Sequence, residues 1–324
     1  MPQAHPHALV RWTHTLWHTH RPLTLSAALT ALLGIFFLAG IFLDARYITG
    51  APAWLKPLKF SISISVYSLT LVWMLGFIQG RRRLVSFLAW LTLTMFAIEW
   101  IAIITQTVRG VPSHFNYTSA LNAFITTGLM AVPIVALWIG TAVLAVLLLL
   151  QRFPNPVLAW SVRLGLLITL LGMAEGFLMT TPTTAQLSAM QAGQPMTFIG
   201  AHSVGTPDGG PGLPGIGWST RGGDLRVGHF VGMHALQVLP FLAALLMRRR
   251  DLHVRQQLAL LFTGAAYYLG LTVLVTWQAL RAEPLTQPGP ATLTVFAVLT
   301  TAAALVTAHT ATRARHTARA RATT

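Results

Sequence analysis

The chain has 324 residues, of which 54% are hydrophobic and only 9% are charged, and its mean hydropathy is +0.63. About a quarter of the residues of an ordinary soluble globular protein are charged, so this composition excludes that class and indicates a membrane protein. The net charge of +15 comes from 20 Arg and 2 Lys against 7 acidic residues. Because the basic residues lie in short clusters between apolar segments, they indicate retention on the cytoplasmic side and not nucleic-acid binding.

The chain has no cysteine. This excludes disulfides, thiolate metal sites, and c-type haem or iron–sulfur clusters attached through the chain's own residues. The excess of Arg over Lys, with abundant Ala and Gly, suggests GC-rich coding and therefore a bacterial source. We accordingly predict the bacterial inner membrane as the location. Any metal ligands must come from His, Met or carboxylates.

Apolar windows long enough to cross a bilayer, about 20 residues each, follow one another along the chain. We predict an all-α polytopic bundle of eight transmembrane helices at roughly 23–43, 60–79, 84–107, 120–150, 156–180, 227–247, 256–280 and 290–311. Pro133 interrupts the over-long fourth window and predicts a kink or an interfacial extension there. The two halves of the chain share neither loop lengths nor motif order, so no internal repeat is predicted.

Counting Lys and Arg on the two sides predicts the orientation. With the N-terminus inside, 15 basic residues fall on the cytoplasmic side and 7 on the other, as the positive-inside rule requires. We therefore predict a cytoplasmic N-terminal tail at 1–22, the transmembrane domain at 23–312 and a basic cytoplasmic tail at 313–324. The first apolar run lacks a cleavage site and predicts a retained signal-anchor.

The single long loop, 181–226, is predicted on the outer side and has nine glycines between residues 200 and 223. Its beginning, Thr183 to Ala192, predicts a short surface helix capped by threonine. The glycine-rich remainder lacks the Lys-Ser/Thr ending of a phosphate loop, and we expect a folded lid there.

Six of the seven acidic residues lie in the predicted outer half. Glu99 lies about ten residues, on the order of 15 Å, below the outer end of its helix, and Glu175 about 9 Å below the end of its own. Asp224 is predicted to be the N-cap of the sixth helix, and Glu283 to pair with Arg281. Asp251 lies on the cytoplasmic side, where the arginines at 248–250 balance its charge.

An ionised group in hydrocarbon is costly unless opposite charges and hydrogen bonds surround it. We therefore predict that the polar groups of the outer half converge in one pocket that opens outward. Its candidate catalytic residues are Glu99, His114, Glu175 and His234. Its candidate ligand-binding residues are Lys59, Arg109, Asn116, Asp224, Arg226 and Gln237. Its candidate metal ligands are His114, His229 and His234, for a single haem or a divalent metal.

For several of these residues a structural role competes with a functional one. Lys56 and Lys59, the chain's only lysines, flank Pro57 and either snorkel at the interface or bind an anion or carboxylate. For Glu99 the structural alternative is a hydrogen bond to a neighbouring helix, and for His114 it is a role in structuring its loop. His229 and His234 would point about 140° apart on an ideal helix at roughly 100° per residue, so they would not form a ready-made metal pair.

Three sequence segments resemble segments of known proteins. They are residues 54–60 (WLKPLKF), residues 109–116 (RGVPSHFN), and residues 223–230 (GDLRVGHF) with the following 233–237 (MHALQ). They resemble uncharacterised bacterial multi-pass membrane proteins. The resemblance implies an eight-helix architecture and supplies no activity.

Three functional classes stay open. The one-sided polarity favours a membrane-embedded enzyme or a haem- or metal-binding protein that acts on a lipid-soluble or periplasmic substrate. A small-molecule or proton-coupled transporter is the first alternative, and a membrane assembly or docking protein, using the long loop, is the second. The expected partners are the lipid bilayer and a small-molecule or lipid-soluble ligand, with no nucleic acid, and the oligomeric state is unknown.

Overall fold

The computed structural model describes the backbone of residues 6–322 and the side chains of residues 13–313. Residues of both predicted tails lie outside the described side chains, namely His5, His7, Arg11, Arg315, Arg319 and Arg321. Within the described chain the fold is all-α, as predicted, and strands are limited to two antiparallel pairs of two residues each.

Most described helices are long and apolar enough to cross a membrane. Seven helical stretches meet this criterion in the described chain, two of them made of neighbouring helices (Ala120–Leu150 and Pro156–Gln191), and two helices bent by 42° make an eighth span when taken together. The helices are α1 (Pro6–Thr19), α2 (Arg21–Leu43), α3 (Leu55–Leu75), α4 (Arg82–Arg109), α5 (Ala120–Phe124), α6 (Val132–Leu150), α7 (Pro156–Thr180), α8 (Thr184–Gln191), α9 (Arg226–Met233), α10 (Ala235–Arg248), α11 (Val254–Leu280) and α12 (Pro290–Ala322). The protein is therefore a multi-pass membrane protein.

The chain divides into two compact units. Unit 1 runs to Leu147 and includes Ser188–Ile199, and unit 2 consists of Leu148–Leu187 and the chain from Gly200 onward. Unit 1 contains the first four spans and unit 2 the other four.

Unit 1 is built around the contact between α2 and α3. Gly34 permits their close approach, because a Cβ atom there would lie against Oγ of Ser61. The strands β1 (Tyr47–Ile48) and β2 (Ala51–Pro52) pair between these helices, with Thr49 and Gly50 both at positive φ, as a tight hairpin turn requires. The N-terminal segment does not stand apart from this unit, since α1 packs against α2 and α3.

The start of α3 differs from the prediction. The helix begins at Leu55 and not at residue 60. Pro57 is compatible with the first turn of a helix, because the N–H groups there have no partner within the helix. Both lysines are therefore helical residues. Farther along, a π-helical segment, Ile125–Ala131, joins α5 to α6 and ends just before Pro133. The irregularity predicted around that proline is thus a widened turn.

In unit 2, α7 packs against α9, α10 and α11. Glycines make this packing close: a Cβ atom on Gly172 would lie within 2.6 Å of the backbone of Gly232, and one on Gly165 would lie 3.0 Å from the carbonyl oxygen of Ala235. Small residues at such contacts are the usual means by which transmembrane helices approach.

The sixth span is broken at His234, between α9 and α10. A break exposes carbonyl groups that hydrocarbon cannot satisfy. Here the Tyr268 hydroxyl donates to the carbonyl of Val231 at 2.6 Å, and the Thr169 hydroxyl donates to that of Met233 at 3.1 Å. Side chains of α11 and α7 thus stabilise the bend.

The long loop has defined structure. The predicted surface helix is confirmed as α8, and Thr183 and Gln186 exchange side-chain-to-backbone hydrogen bonds at its start. Strands β3 (Ser203–Val204) and β4 (Gly223–Asp224) then pair in unit 2.

Candidate functional site

Five of the seven acidic residues form salt bridges. The pairs are Asp44–Arg46, Asp208–His202, Asp224–Arg226, Asp251–Arg249 and Glu283–Arg281. The predicted pairing of Glu283 with Arg281 and the predicted charge balance of Asp251 are both confirmed. Glu99 in unit 1 and Glu175 in unit 2 form no salt bridge within the described chain. These two are also the acids that lie inside transmembrane helices, where an unpaired charge is most costly.

Glu99 is deeply buried in α4, with 2% of its surface exposed. Along α4 it lies between Phe96, a member of one apolar cluster of unit 1, and Ala102 and Ile103, members of another. Its Oε1 atom is buried without a hydrogen-bond partner, and Lys56 interacts with it electrostatically. Glu99 is therefore an intramembrane carboxyl group whose hydrogen-bonding capacity the described chain does not fill.

Lys56 contacts the loop that follows α4. Its Nζ lies 2.6 Å from Nδ1 of His114, which also lies 3.3 Å from Oγ of Ser113. A lysine ammonium group can only donate, so Nδ1 of His114 accepts and the ring proton is on Nε2. His114 is then neutral and does not offset the charge of Lys56. Lys59, three residues farther along α3, is half-buried.

A network of buried amides holds the loop of His114 in place. Arg109 donates to the side-chain oxygens of Gln106 and Asn122, and Gln106 donates to Asn122 and to the carbonyl of Pro112. Gly110 ends α4 in the left-handed conformation that releases the loop. Arg109 is thus hydrogen-bonded to uncharged amide oxygens, which do not neutralise its positive charge.

Asn116 belongs to the same loop. Its amide donates to the carbonyl of Pro112, and its oxygen accepts from the backbone and hydroxyl of Thr118. These bonds give Asn116 a positioning role for the loop. Sequence reasoning missed Asn122, although a polar residue in an apolar window is a signal that could have identified it.

In unit 2, Glu175 lies at the contact of α7 with α9 and α11. Its Oε1 lies 2.7 Å from Oγ1 of Thr276, and its Oε2 is buried without a partner. The carboxyl group packs against Gly228, where a Cβ atom would collide with it. The sequence analysis did not single out Thr276, which is 101 residues away from Glu175.

The histidines of α9 differ from each other. His229 lies with Nδ1 2.6 Å from the carbonyl of Gly172, whereas His234 is exposed at the helix break, 3.2 Å from Oε1 of Gln237. The predicted contact of His234 with Gln237 is present. His229 lies inside α9 and His234 caps its C-terminal end.

Asp224 is not the helix N-cap that the sequence predicted. It lies in β4, and Leu225 precedes the first helical residue with no side-chain cap. Its carboxylate accepts from the backbone of Ser219 and from both the backbone and guanidinium of Arg226. The guanidinium also donates to the carbonyl of Gly217. In this arrangement both side chains stabilise the loop.

The loop of unit 2 contains a second charged pair, His202 and Asp208. Asp208 accepts from the His202 ring at 2.8 Å and from the backbone N–H groups of His202 and Ser203. Burial alone would raise the pKa of Asp208, but these hydrogen bonds and the charge of His202 together hold it well below its usual range.

The predicted pocket residues are divided between the two units. Lys59, Glu99, Arg109, His114 and Asn116 lie in unit 1, and Glu175, Asp224, Arg226, His229, His234 and Gln237 lie in unit 2. Their convergence in one pocket stays a prediction. Among the described residues, no group of three or more His, Asp or Glu side chains is arranged to hold a metal ion, so the haem or metal site also stays a prediction.

Comparisons with protein-family models, curated proteins and solved structures gave no match to this chain. No family is therefore shown for this multi-pass membrane protein, and the function has to be inferred from the residues themselves.

Proposed function

We propose that the end of unit 1 formed by Lys56, Lys59 and His114 binds the anionic group of a lipid-soluble ligand, and that Glu99 exchanges a proton as the ligand binds. The observation that carries the proposal is the contact between Nζ of Lys56 and Nδ1 of His114, together with the electrostatic interaction of Lys56 with the buried Glu99. In an enzyme this arrangement supplies acid–base catalysis. The bacterial inner membrane is the proposed location.

The electrostatics of α3 support an anionic ligand. The N-terminus of a helix carries partial positive charge, so lysines in its first turns are unfavourable unless an anion is near. Asp44, the other acid of unit 1, is already paired with Arg46, and hydrogen bonds from Arg46 hold the pKa of Asp44 well below its usual range. An anion at Lys56 would thus lie beside the positive end of α3.

The surroundings of Glu99 support a lipid-soluble ligand and a coupled proton. Glu99 is buried, and its neighbours along α4 belong to apolar clusters, which favour hydrocarbon over a hydrated solute. A ligand carboxylate near Lys56 would weaken the attraction of Lys56 for the carboxylate form of Glu99. At a pH at which part of the Glu99 population is ionised, binding of an anion should therefore cause proton uptake.

The test uses the full chain in phosphatidylcholine nanodiscs, with palmitate as the probe and hexadecanol as its uncharged counterpart. We expect palmitate to bind more tightly than hexadecanol. Lys56→Gln should weaken palmitate binding by about 10- to 100-fold, the equivalent of one charge-assisted hydrogen bond. Arg221→Gln, an exposed loop arginine, is the matched control and should leave binding unchanged.

Proton uptake is followed with a pH-indicator dye in weakly buffered solution. Glu99→Gln should bind palmitate without proton uptake, whereas the unmodified chain should take up a proton. Equal binding of palmitate and hexadecanol, or unchanged binding by Lys56→Gln, would refute the anionic site. Unchanged proton uptake by Glu99→Gln would refute the role of Glu99.

A second candidate function is proton-coupled transport, which the bent pair α9–α10 favours, because transporters often place binding sites at broken helices. Proteoliposomes with an imposed membrane potential test it. Proton flux above that of empty liposomes supports transport, and its absence favours the enzyme or binding protein.

A further inference from the structure

We infer that α1 carries a binding site for a divalent transition-metal ion, in which the imidazole groups of His14 and His18 are the two protein ligands. The helix belongs to unit 1 and precedes the first span, on the predicted cytoplasmic side. The site is separate from the anionic site proposed at Lys56, and either can exist without the other.

The spacing of the two histidines places their rings on one face of α1. The helix runs from Pro6 to Thr19, and residues four apart lie one turn apart on the same side of a helix. The ring centroids of His14 and His18 are 4.1 Å apart, and the ring planes are inclined by 49°. Two histidines at this spacing bind a single zinc ion in helical His-x-x-x-His sites. One helical segment can therefore chelate a metal ion without a ligand from elsewhere in the chain.

The backbone of α1 is held by packing while the two rings stay accessible. Leu16, which lies between the histidines in sequence, has 1% of its surface exposed, and α1 packs against α2 and α3. The carbonyl of Leu16 accepts from the hydroxyl of Thr24 at 3.1 Å, which ties α1 to α2. His14 and His18 are both exposed, so water can complete the coordination of an ion that they share. Packing thus sets the spacing of the two ligands before an ion binds.

The nearest other histidine along the chain, His20, is engaged elsewhere. Its Nδ1 accepts from the backbone N–H of Leu23, and its ring packs edge-on against that of Trp90. The guanidinium of Arg21 lies over the ring of Trp17. The site therefore has two imidazole ligands, in accord with the lack of three-ligand metal groups among the described residues.

The chemistry of the ligands selects the class of metal. Neutral imidazole suits Zn²⁺, Cu²⁺ and Ni²⁺, whereas Mg²⁺ and Ca²⁺ prefer oxygen ligands. The first acidic residue of the chain is Asp44, so the N-terminal segment offers no carboxylate for these harder cations. Among the divalent metals of the first transition row, Cu²⁺ binds nitrogen ligands most tightly. A bound ion joins two successive turns of α1 and stabilises the helical conformation.

The test uses Cu²⁺ alone as the probe, added to the full chain in phosphatidylcholine nanodiscs, with the affinity measured by calorimetry. His14→Gln and His18→Gln should each weaken binding roughly 100-fold, because the loss of one ligand removes the chelate. His309→Gln removes an exposed histidine of α12 and should leave the affinity unchanged. Equal affinity in the unmodified chain and in both α1 variants would overturn the proposal, and Mg²⁺ binding as tight as that of Cu²⁺ would overturn the class of metal.

A double variant separates the spacing of the histidines from their number. Thr13 is exposed, and Thr13→His combined with His14→Gln keeps 12 histidines in the chain. The two rings would then be five residues apart and about 140° from each other around the helix. We expect this variant to bind Cu²⁺ as weakly as His14→Gln alone. Binding as tight as that of the unmodified chain would show that the rings act separately and would overturn the chelate.

Two spectroscopic readouts report on the ligands and on the helix. The electron paramagnetic resonance spectrum of bound Cu²⁺ should show two nitrogen ligands in the unmodified chain. Cu²⁺ should also slow amide hydrogen exchange at residues 14–18 several-fold, and it should have no such effect in His18→Gln. Because both histidines are exposed, these substitutions leave the packing of Leu16 intact. Equal exchange with and without Cu²⁺ in the unmodified chain would overturn the site on α1.

Discussion

Gly172 of α7 and Gly232 of α9 face each other so closely that a Cβ atom on either would lie 2.5 Å from the backbone of the other. This contact brings the Gly172 carbonyl to His229 and sets the spacing at which Glu175 packs against Gly228. Helix packing thus determines the surroundings of both Glu175 and His229.

Gly172→Ala should force α7 and α9 apart, because the added methyl group has no space. We expect a destabilisation of about 1–3 kcal/mol, the usual cost of overpacking, measured as a lower unfolding midpoint in detergent. Gly210→Ala is the matched control, since its nearest contact would be 4.0 Å away. Equal midpoints for the two variants would contradict the prediction.

Asp224→Asn should destabilise unit 2. Asp224 is 2% exposed, and the substitution removes the negative charge that pairs with the guanidinium of Arg226. Breaking a buried pair costs about 3 kcal/mol at the lower end of the range, which an unfolding titration can measure. Asp251→Asn, in a pair that is more than half exposed, should have no measurable effect. A similar effect of the two substitutions would argue against a structural Asp224–Arg226 pair.

The loop around Asp208 should open in acid. The folded pKa of Asp208 is lowered, so its stabilising contribution is complete above the unfolded pKa of about 3.9 and is lost as pH falls through the folded value. Limited proteolysis at 200–210 by an acid-active protease should therefore increase as pH falls below about 4. In Asp208→Asn, cleavage should already be fast at pH 5 and should not depend on pH. A parallel rise in both proteins would assign the acid sensitivity to another group.

Glu283 predicts a similar dependence at the turn before α12. Hydrogen bonds from Thr292, the backbone of Gly289 and Arg281 lower the pKa of Glu283 to about 2. The stability they provide should be complete above about pH 4.3 and decline toward pH 2. Hydrogen exchange at the start of α12 should rise in that range, and Glu283→Gln should show fast exchange already at pH 5. Protection that does not change in the variant would refute this role.

The orientation of the chain is predicted by its basic residues. Reporter fusions after residues 82, 152 and 252 and at the C-terminus should behave as cytoplasmic, and fusions within 205–220 as external. An external C-terminus would contradict the prediction.

Sequence alone was sufficient for the spans, because a transmembrane helix satisfies its own backbone and needs only a long apolar window. It also indicated the pairs Arg249–Asp251 and Arg281–Glu283, whose members are two residues apart and meet in almost any local conformation. The predicted start of α3 was too late in the chain, because a window of apolar residues does not include the beginning of the helix, which contains both lysines and Pro57.

The tertiary structure alone decided which distant groups meet. Lys56 and His114 are 58 residues apart and Glu175 and Thr276 are 101 apart, so no local pattern specifies these contacts. They follow from the positions at which helices approach, and those depend on glycine contacts such as Gly172 with Gly232 and on the break at His234. The sequence indicates that Glu99 and Glu175 are costly groups in a membrane, but only the packing of their helices determines that each keeps an unpartnered oxygen.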